Sequence, residues 1–147
     1  MDAKGLARAA LAAFASGDTS GAESFIAPGY RNLESDDRST ARGPQEFRET
    51  VGWIHRAFAE LRYDEVAVLA DETQVVVWAV LHGRHVGPFL GIAPDGRGFA
   101  VEQVHLFHVA NGKLTGHRAV RDDLRLLLTL GARVTTPDGA PFAVHTR

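Results

Sequence analysis

Cysteine is absent from the 147 residues of this sequence. Disulfide bonds, thiolate nucleophiles and cysteine-ligated metal sites are therefore excluded, because each of them needs a thiol. Long apolar runs are also absent, and none approaches the roughly 20 residues of a membrane-spanning helix. The N-terminal segment lacks the apolar centre of a signal peptide. We therefore expect a cytoplasmic protein with no membrane partner.

An excess of one charge is absent as well. The 16 lysine and arginine residues nearly balance 18 aspartate and glutamate residues. No basic run stands out, so nucleic acid is not an expected partner. The length suits one domain with a real core, and we predict that domain over residues 1–131. Residues 132–147, which have little periodicity, are predicted to form a loosely ordered C-terminal extension.

Apolar periodicity predicts helices in the first half of the chain. A helical period covers residues 3–16, and the capping-box spacing of Ser20 and Glu23 predicts a short second helix. A third helix begins at Gly43-Pro44 and carries one apolar stripe in steps of four and three residues. The stripe consists of Phe47, Val51, Ile54, Phe58 and Leu61.

The period changes to two after the third helix, which indicates strands. We predict strands over residues 62–69, 74–82, 99–109 and 113–121. Asp122 can cap a last helix, which a glycine at position 131 ends. Helices followed by consecutive strands predict an α+β domain, in which helices cover one face of a curved antiparallel sheet and leave a cavity beneath them.

Two registers are open for the last pair of strands. A two-residue loop at Asn111-Gly112 sets His105 opposite Arg118. A three-residue loop, with a left-handed glycine, sets His105 opposite His117. We prefer the second register, because it places Gln103 and both histidines on one face, beside Phe107, and apolar side chains on the other. Phe107 and Ala119 of the polar face are predicted to contact the substrate. A slip of one residue would mix the two faces.

The two histidines are candidates for acid and base, because their unperturbed pKa near 6.5 suits proton transfer at neutral pH. The alternative is that each is a hydrogen-bonded histidine of the sheet. Gln103 and Asn32 can donate hydrogen bonds to a developing enolate oxygen, or can serve structure alone. The His-x-x-His pairs that begin at His82 and His105 lie on strands, where residues three apart point to opposite faces. We therefore predict no metal site.

Several short motifs resemble the SnoaL-like polyketide cyclases of the nuclear-transport-factor-2-like superfamily. They are YRN at residues 30–32, GRHVG at 83–87, EQVHL at 102–106 and His117-Arg118, and the resemblance covers about residues 5–131. It implies a cone-shaped α+β barrel that forms a homodimer or homotetramer. It also implies a cofactor-free aldol ring closure of an aromatic polyketide in antibiotic biosynthesis.

The resemblance also carries residue roles. Gln103, His105 and His117 match pocket residues of those cyclases, and Asn32 matches a pocket amide near the mouth. Two residues after His117 those cyclases have an aspartate that acts as acid and base, and here that position is Ala119. This departure puts the usual mechanism in doubt.

Three further residues are candidates with open alternatives. Asp122 can replace the missing aspartate, or can cap the last helix. Trp53 can line the cavity, or can pack against its neighbours. His85 can reach the mouth of the pocket, or can be a solvated residue at a strand end.

Three functions follow from these observations. The first is a polyketide cyclase that acts by acid–base chemistry without a cofactor. The second keeps the fold and changes the reaction to hydroxylation, epoxide opening or another cyclisation, because of Ala119. The third is a protein that binds a small molecule and catalyses nothing.

Overall fold

The computed structural model describes residues 1–34 and 40–142, so the last five residues of the predicted extension lie outside the described part. Helices and strands are unevenly divided along the chain, with most helices first. The helices are α1 (Ala3–Ser16), α2 (Ala22–Phe25), α3 (Pro44–Ala57) and α4 (Asp123–Thr129). The strands are β1 (Ile26–Asn32), β2 (Phe58–Ala70), β3 (Gln74–His85), β4 (Gly98–Ala110) and β5 (Lys113–Arg121). None of the described helices is long and apolar enough to cross a membrane.

The five strands form one curved sheet in the order β1-β5-β4-β3-β2. Strands β2 to β5 are an antiparallel meander, and β1 joins β5 in parallel. The predicted α+β class, with N-terminal helices on the sheet, is confirmed. The parallel edge strand was not predicted, because Pro28-Gly29 interrupts its alternation. Proline is tolerated there because an edge strand leaves some N–H groups unpaired.

The boundary between α3 and β2 differs from the prediction. The apolar stripe extended the helix to Leu61, but the helix ends at Ala57 and the strand begins at Phe58. The carbonyl of Ala57 accepts hydrogen bonds from the N–H groups of Val86 and Gly87 instead of from a further helical turn. The last two residues of the apolar stripe fit the period of a helix and that of a strand equally well. The hydrogen bonds to Val86 and Gly87 therefore decide where the helix ends.

The predicted capping box is also wrong. Helix α2 begins at Ala22 after Gly21, and no side chain caps it. The N–H of Ser20 instead bonds to the carboxylate of Asp18 in the preceding turn. Competition between local side-chain hydrogen bonds decides such short helices.

The β4–β5 hairpin has neither predicted register. Asn111 and Gly112 have φ of 51° and 71°, which is the left-handed pair of a two-residue turn. A bulge then shifts the pairing after Val109, so that His105 lies opposite Ala119 and Gln103 opposite Arg121. This register differs by two residues from the preferred one. The polar and apolar faces of the hairpin therefore survive, because side chains alternate with a period of two.

The interior contains two apolar clusters along the inner face of the sheet. The first packs α1, α2 and α3 on the sheet and includes Phe14, Phe47, Val77 and Phe107. The second lies toward α4 and includes Phe58, Leu81, Phe99, Val101 and Leu126. Along β4, Gln103 and His105 stand between Val101 of the second cluster and Phe107 of the first. Polar side chains thus occupy the junction of the two clusters.

Candidate active site

Three polar side chains lie buried on the inner face of β4 and β5. Alternation turns Gln103 and His105 of β4 inward, and His117 of β5 shares that face. Their exposed fractions are 4%, 2% and 1% in that order. Groups this deeply buried cost free energy unless they are hydrogen-bonded. These three residues are called the polar chain below.

Hydrogen bonds link the polar chain in one direction. Gln103 Oε1 lies 2.9 Å from His105 Nε2, and His105 Nδ1 lies 3.0 Å from His117 Nε2. Because an amide oxygen only accepts, His105 Nε2 donates, and in a neutral imidazole Nδ1 must then accept from His117 Nε2. His117 Nδ1 retains a lone pair that has no partner among the described residues. The polar chain therefore ends in a buried acceptor at His117 Nδ1.

Burial keeps both imidazoles neutral. Desolvation, with a smaller effect from the charge of Arg121, lowers the pKa of His105 to about 3. Desolvation, followed by His105 and then Arg121, also lowers the pKa of His117 well below its usual value. Both pKa values thus lie below the unperturbed value on which the predicted acid–base role was based, and that role stays a prediction. Neutral imidazoles of low basicity suit hydrogen bonding to a substrate better than removal of a proton from carbon.

Aromatic rings enclose the polar chain and explain its desolvation. The ring centroid of Phe107 lies 4.7 Å from that of His117, and 6.3 Å from that of His105 in a nearly parallel arrangement. Phe14 of α1 lies 5.8 Å from His117. Tyr63 of β2 meets His105 edge-on at 5.5 Å. Phe107, a predicted substrate contact, thus packs directly on both imidazoles.

A cleft of about 300 Å³ opens beside the polar chain. Side chains of α1, β2 and β3 line it, Tyr63 and Ala79 among them. Tyr63 packs on His105, and Ala79 is the cross-strand neighbour of Gln103. Two residues that line this cleft therefore also contact or pair with members of the polar chain.

A carboxylate reaches the outer edge of β5 next to the polar chain. Glu34 follows β1, and its carboxylate accepts hydrogen bonds from the backbone N–H of Ala119 and from the guanidinium of Arg121. In the β4–β5 register these two residues lie opposite His105 and Gln103. The side chains of Glu34 and Arg121 are 22% and 29% exposed, so their ion pair is partly shielded from water. They are called the edge pair below.

Asn32 lies next to the polar chain, because it is the β1 partner of His117. Its amide N–H donates to Thr50 Oγ1 at 3.2 Å, and its Oδ1 accepts from the Glu34 N–H at 3.2 Å. These bonds fix the end of β1 against α3. The structure thus brings Asn32 to the site and also gives it structural partners.

Asp122 is the N-cap of α4. Its carboxylate accepts from the Arg125 N–H at 3.1 Å, and it also lies 3.2 Å from Arg125 Nε. The structure thus shows the capping alternative for Asp122, and its catalytic role stays a prediction. The next residue, Asp123, lies close enough to the edge pair to be affected by its charges, and partial burial raises its pKa.

Trp53 and His85 lie away from the polar chain, around a second group of aromatic rings. Trp53 is 45% exposed and packs on Phe89 at 5.6 Å, so packing describes its place better than cavity lining. His85 is completely buried against Phe58 at 5.9 Å. The solvated alternative for His85 is therefore wrong. Neither of its ring nitrogens has a hydrogen-bond partner in the described residues.

No group of three or more histidine, aspartate or glutamate side chains suited to a metal ion occurs in residues 1–34 and 40–142. The two histidines of the first His-x-x-His pair point to opposite faces of the sheet, as predicted for strand residues three apart. His82 points outward to Asp64 at 2.9 Å, whereas His85 points inward. The absence of a resident metal stays a prediction.

Comparison with known proteins identifies the fold and its family. Residues 4–130 match the family described as SnoaL-like polyketide cyclase. The chain belongs to this family. It is 36% identical over 122 residues to nogalonic acid methyl ester cyclase from Streptomyces nogalater, which covers 82% of the chain and 91% of that relative. It is 38% identical over 112 residues to aklanonic acid methyl ester cyclase AcmA from Streptomyces galilaeus, covering 76% and 78%.

A solved structure supports the same fold. TsrD from Streptomyces laurentii superposes with a TM-score of 0.76 at 26% identity, over 87% of this chain and 93% of that one. The chain is therefore a SnoaL-like polyketide cyclase, an enzyme of ring closure, and the predicted family and enzyme class are confirmed.

Within this SnoaL-like fold, three residues near the polar chain were given no site role by the predictions. Arg121 shares the odd-numbered face of β5 with His117 and Ala119, so alternation contained the signal. Tyr63 lies in the predicted strand 62–69, but alternation alone does not say that it meets His105 of β4. Glu34 gave no signal, because only the path of the chain after β1 brings it to β5.

Proposed function

We propose that this SnoaL-like cyclase closes a ring in an aromatic polyketide methyl ester by an intramolecular aldol reaction that needs no cofactor. The observation that supports the proposal is the buried polar chain, which ends in the unpartnered Nδ1 of His117. The two relatives named above are cyclases of nogalonic and aklanonic acid methyl esters. A methyl ester of a related polycyclic aromatic acid is therefore the substrate class that we favour.

The aldol reaction needs two kinds of group, a base and hydrogen-bond donors. A base removes a proton from a carbon between two carbonyls, and the resulting enolate carbon attacks a ketone of the same molecule. The new alkoxide then takes up a proton, so the product is an isomer of the substrate. Hydrogen-bond donors aimed at the enolate oxygen lower the barrier, and removal of one such donor typically costs about 10²–10³ in kcat.

The polar chain suits the binding part of this task. The amide N–H groups of Gln103 can donate to an enolate oxygen, while its oxygen is held by His105. His117 Nδ1 can accept from an enol or phenol hydroxyl of the substrate. Fixed partners orient both groups before the substrate arrives, so little reorganisation is needed during the reaction.

The direct experiment is an assay of purified protein with nogalonic and aklanonic acid methyl esters. Because the aldol product is an isomer, chromatography must separate it from the substrate, and mass spectrometry must show an unchanged mass. A parallel reaction with a metal chelator tests whether a metal is needed. Ring closure with and without the chelator is expected, and a failure to convert either ester would count against the proposal.

Other products would point to the alternatives. A gain of one oxygen would indicate hydroxylation, and ring opening with addition of water would indicate epoxide hydrolysis. Tight binding without any product would indicate a binding protein. The comparisons favour ring closure, since the relatives named above are methyl ester cyclases.

We also propose that the protein is a homodimer. Trp78, Val104 and Val120 lie side by side on three neighbouring strands, and all three are exposed on the outer face of the sheet. An exposed apolar stripe of this kind is typical of an interaction surface, and a two-fold axis can pair it with itself. The cytoplasmic location expected from the sequence stays a prediction that cell fractionation can test.

A further inference from the structure

We propose that Glu34 is the base that takes the carbon-bound proton in the ring closure. This inference rests on the proposed function and assigns to it a catalytic residue. The geometry that carries it is the placement of the Glu34 carboxylate on the backbone N–H of Ala119, at the edge of the polar chain.

The first argument is position. Ala119 lies opposite His105, so a carboxylate held on its N–H stands beside the polar chain across one strand. The N–H of Leu33 bonds to the carbonyl of His117, and the Glu34 side chain then continues the hydrogen bonding one step further along β5. Ala119 has only a methyl side chain, so position 119 itself supplies no acid or base beside this carboxylate.

The second argument is anchoring. One oxygen of Glu34 accepts from Ala119 and the other from Arg121, so the carboxylate has a fixed orientation. Each carboxylate oxygen can accept two hydrogen bonds, so one acceptor site on each oxygen remains for a proton. Arg121 lies opposite Gln103, which connects the edge pair to the polar chain.

The third argument is elimination among the neighbours. The imidazoles of His105 and His117 have low basicity, because burial depresses the pKa of both. Asp122 is committed to the α4 cap. Asp123 is a further carboxyl group near the edge pair, and its raised pKa increases its basicity, but no hydrogen bond within the described residues anchors its side chain in a fixed orientation.

The proposed step balances without any other reactant. The Glu34 carboxylate takes the proton from the carbon between two carbonyls, and the C–H electron pair becomes the enolate. The enolate carbon forms the new C–C bond to the ketone carbon, whose π pair moves to oxygen. The alkoxide then takes the proton back from the carboxylic acid of Glu34, which regenerates the enzyme.

The test compares Glu34→Gln with the wild-type protein. The amide can keep its oxygen on the Ala119 N–H, and it loses the charge, the basicity and the second oxygen that accepts from Arg121. We expect kcat to fall by about 10²–10⁴, the usual contribution of a general base, with KM changed by less than about threefold. Glu23→Gln is the matched control, since Glu23 pairs with Arg48 on the surface, and it should retain wild-type kcat.

Two further variants separate catalysis from folding. Formate added to Glu34→Ala should restore turnover in proportion to its concentration, which a purely structural role would not produce. The double variant Glu34→Gln/Ala119→Asp, which returns a carboxylate to the inner face of β5, should recover at least tenfold of the lost kcat. Full activity in Glu34→Gln, or no rescue in either variant, would overturn the assignment.

A second readout keeps this inference distinct from the proposed function. The assay measures solvent deuterium uptake at the acidic methylene of an aryl β-keto methyl ester that cannot cyclise. Loss of exchange in Glu34→Gln supports Glu34 as the base, even if neither polyketide ester is converted by the wild-type protein. Exchange that is unchanged in the variant, or absent in the wild-type protein, overturns it.

Discussion

The polar chain joins two properties that residues of a folded core rarely combine. Its members are as buried as the surrounding phenylalanines, yet one ring nitrogen of His117 has no partner in the described residues. An unpaired acceptor at this depth costs about 1–3 kcal/mol of stability. A substrate hydroxyl that donates to this nitrogen would remove the cost.

The depressed pKa values predict how stability depends on pH. The unfolded chain binds protons at His105 and His117 near pH 6.5, whereas the folded chain does not, so the free energy of unfolding falls as pH drops below 6.5. Between pH 6.5 and pH 5 the loss from His105 alone is roughly 2 kcal/mol. Urea denaturation at a series of pH values measures it.

The matched protein for this measurement is the double variant His105→Gln/His117→Gln. Its free energy of unfolding should depend less steeply on pH over the same range, because glutamine does not titrate. Equal slopes for the two proteins would show that the imidazoles are not held neutral by the fold.

Individual site residues were predictable from the sequence only where strand alternation defines a face. Gln103, His105 and His117 were assigned to one face correctly, although the register was wrong by two residues. Glu34 lies outside any strand and reaches Ala119 only through the three-dimensional path of the chain. The alternation of side chains shows which residues of one strand share a face. It does not show which residue from a distant part of the chain contacts the edge of that strand.

At the scale of elements, the hairpin and the last helix fix the site. The left-handed turn and the bulge after Val109 set which residues of β4 and β5 face each other. Helix α4 starts directly after β5, with Asp122 as its N-cap. The cap was predictable because aspartate before an apolar helical run is a local signal. The bulge was not, since it depends on the fit between two strands.

Helix capping by Asp122 leads to a prediction about stability and activity. Asp122→Ala should lower the free energy of unfolding by about 1 kcal/mol, because the first turn of α4 loses its side-chain acceptor. Asp122→Asn keeps the acceptor and should retain both stability and kcat. Thermal denaturation and the cyclisation assay measure the two effects. A large loss of kcat in a stable Asp122→Asn protein would show that its carboxylate takes part in the reaction.

At the scale of the whole molecule, the general architecture followed from the order of helices and strands. The antiparallel meander and the covering helices were predicted, and both hold. The parallel β1 strand was missed for two reasons. Its seven residues show no regular alternation, and its partner β5 is distant in the sequence. The division of the chain at residue 131 stays a prediction.

The proposed homodimer gives a prediction about assembly. Val104→Lys places a charge in the centre of the apolar stripe on the outer face, and it should convert a dimer to a monomer because a buried unpaired charge is costly. Light scattering coupled to size-exclusion chromatography measures the mass. Leu90→Lys is the control, since Leu90 is an exposed apolar residue outside the strands. A monomeric wild-type protein would contradict the proposal.

The central claim is that the polar chain binds the reacting part of the substrate, and kcat of His117→Ala tests it most directly. The variant removes the unpartnered Nδ1 and leaves the bond between Gln103 and His105 in place. We expect kcat for the methyl ester substrate to fall at least about 10²-fold, the size of effect seen when one positioned hydrogen-bonding group is lost, with an unchanged circular dichroism spectrum. A correctly folded His117→Ala protein with wild-type kcat would contradict the account.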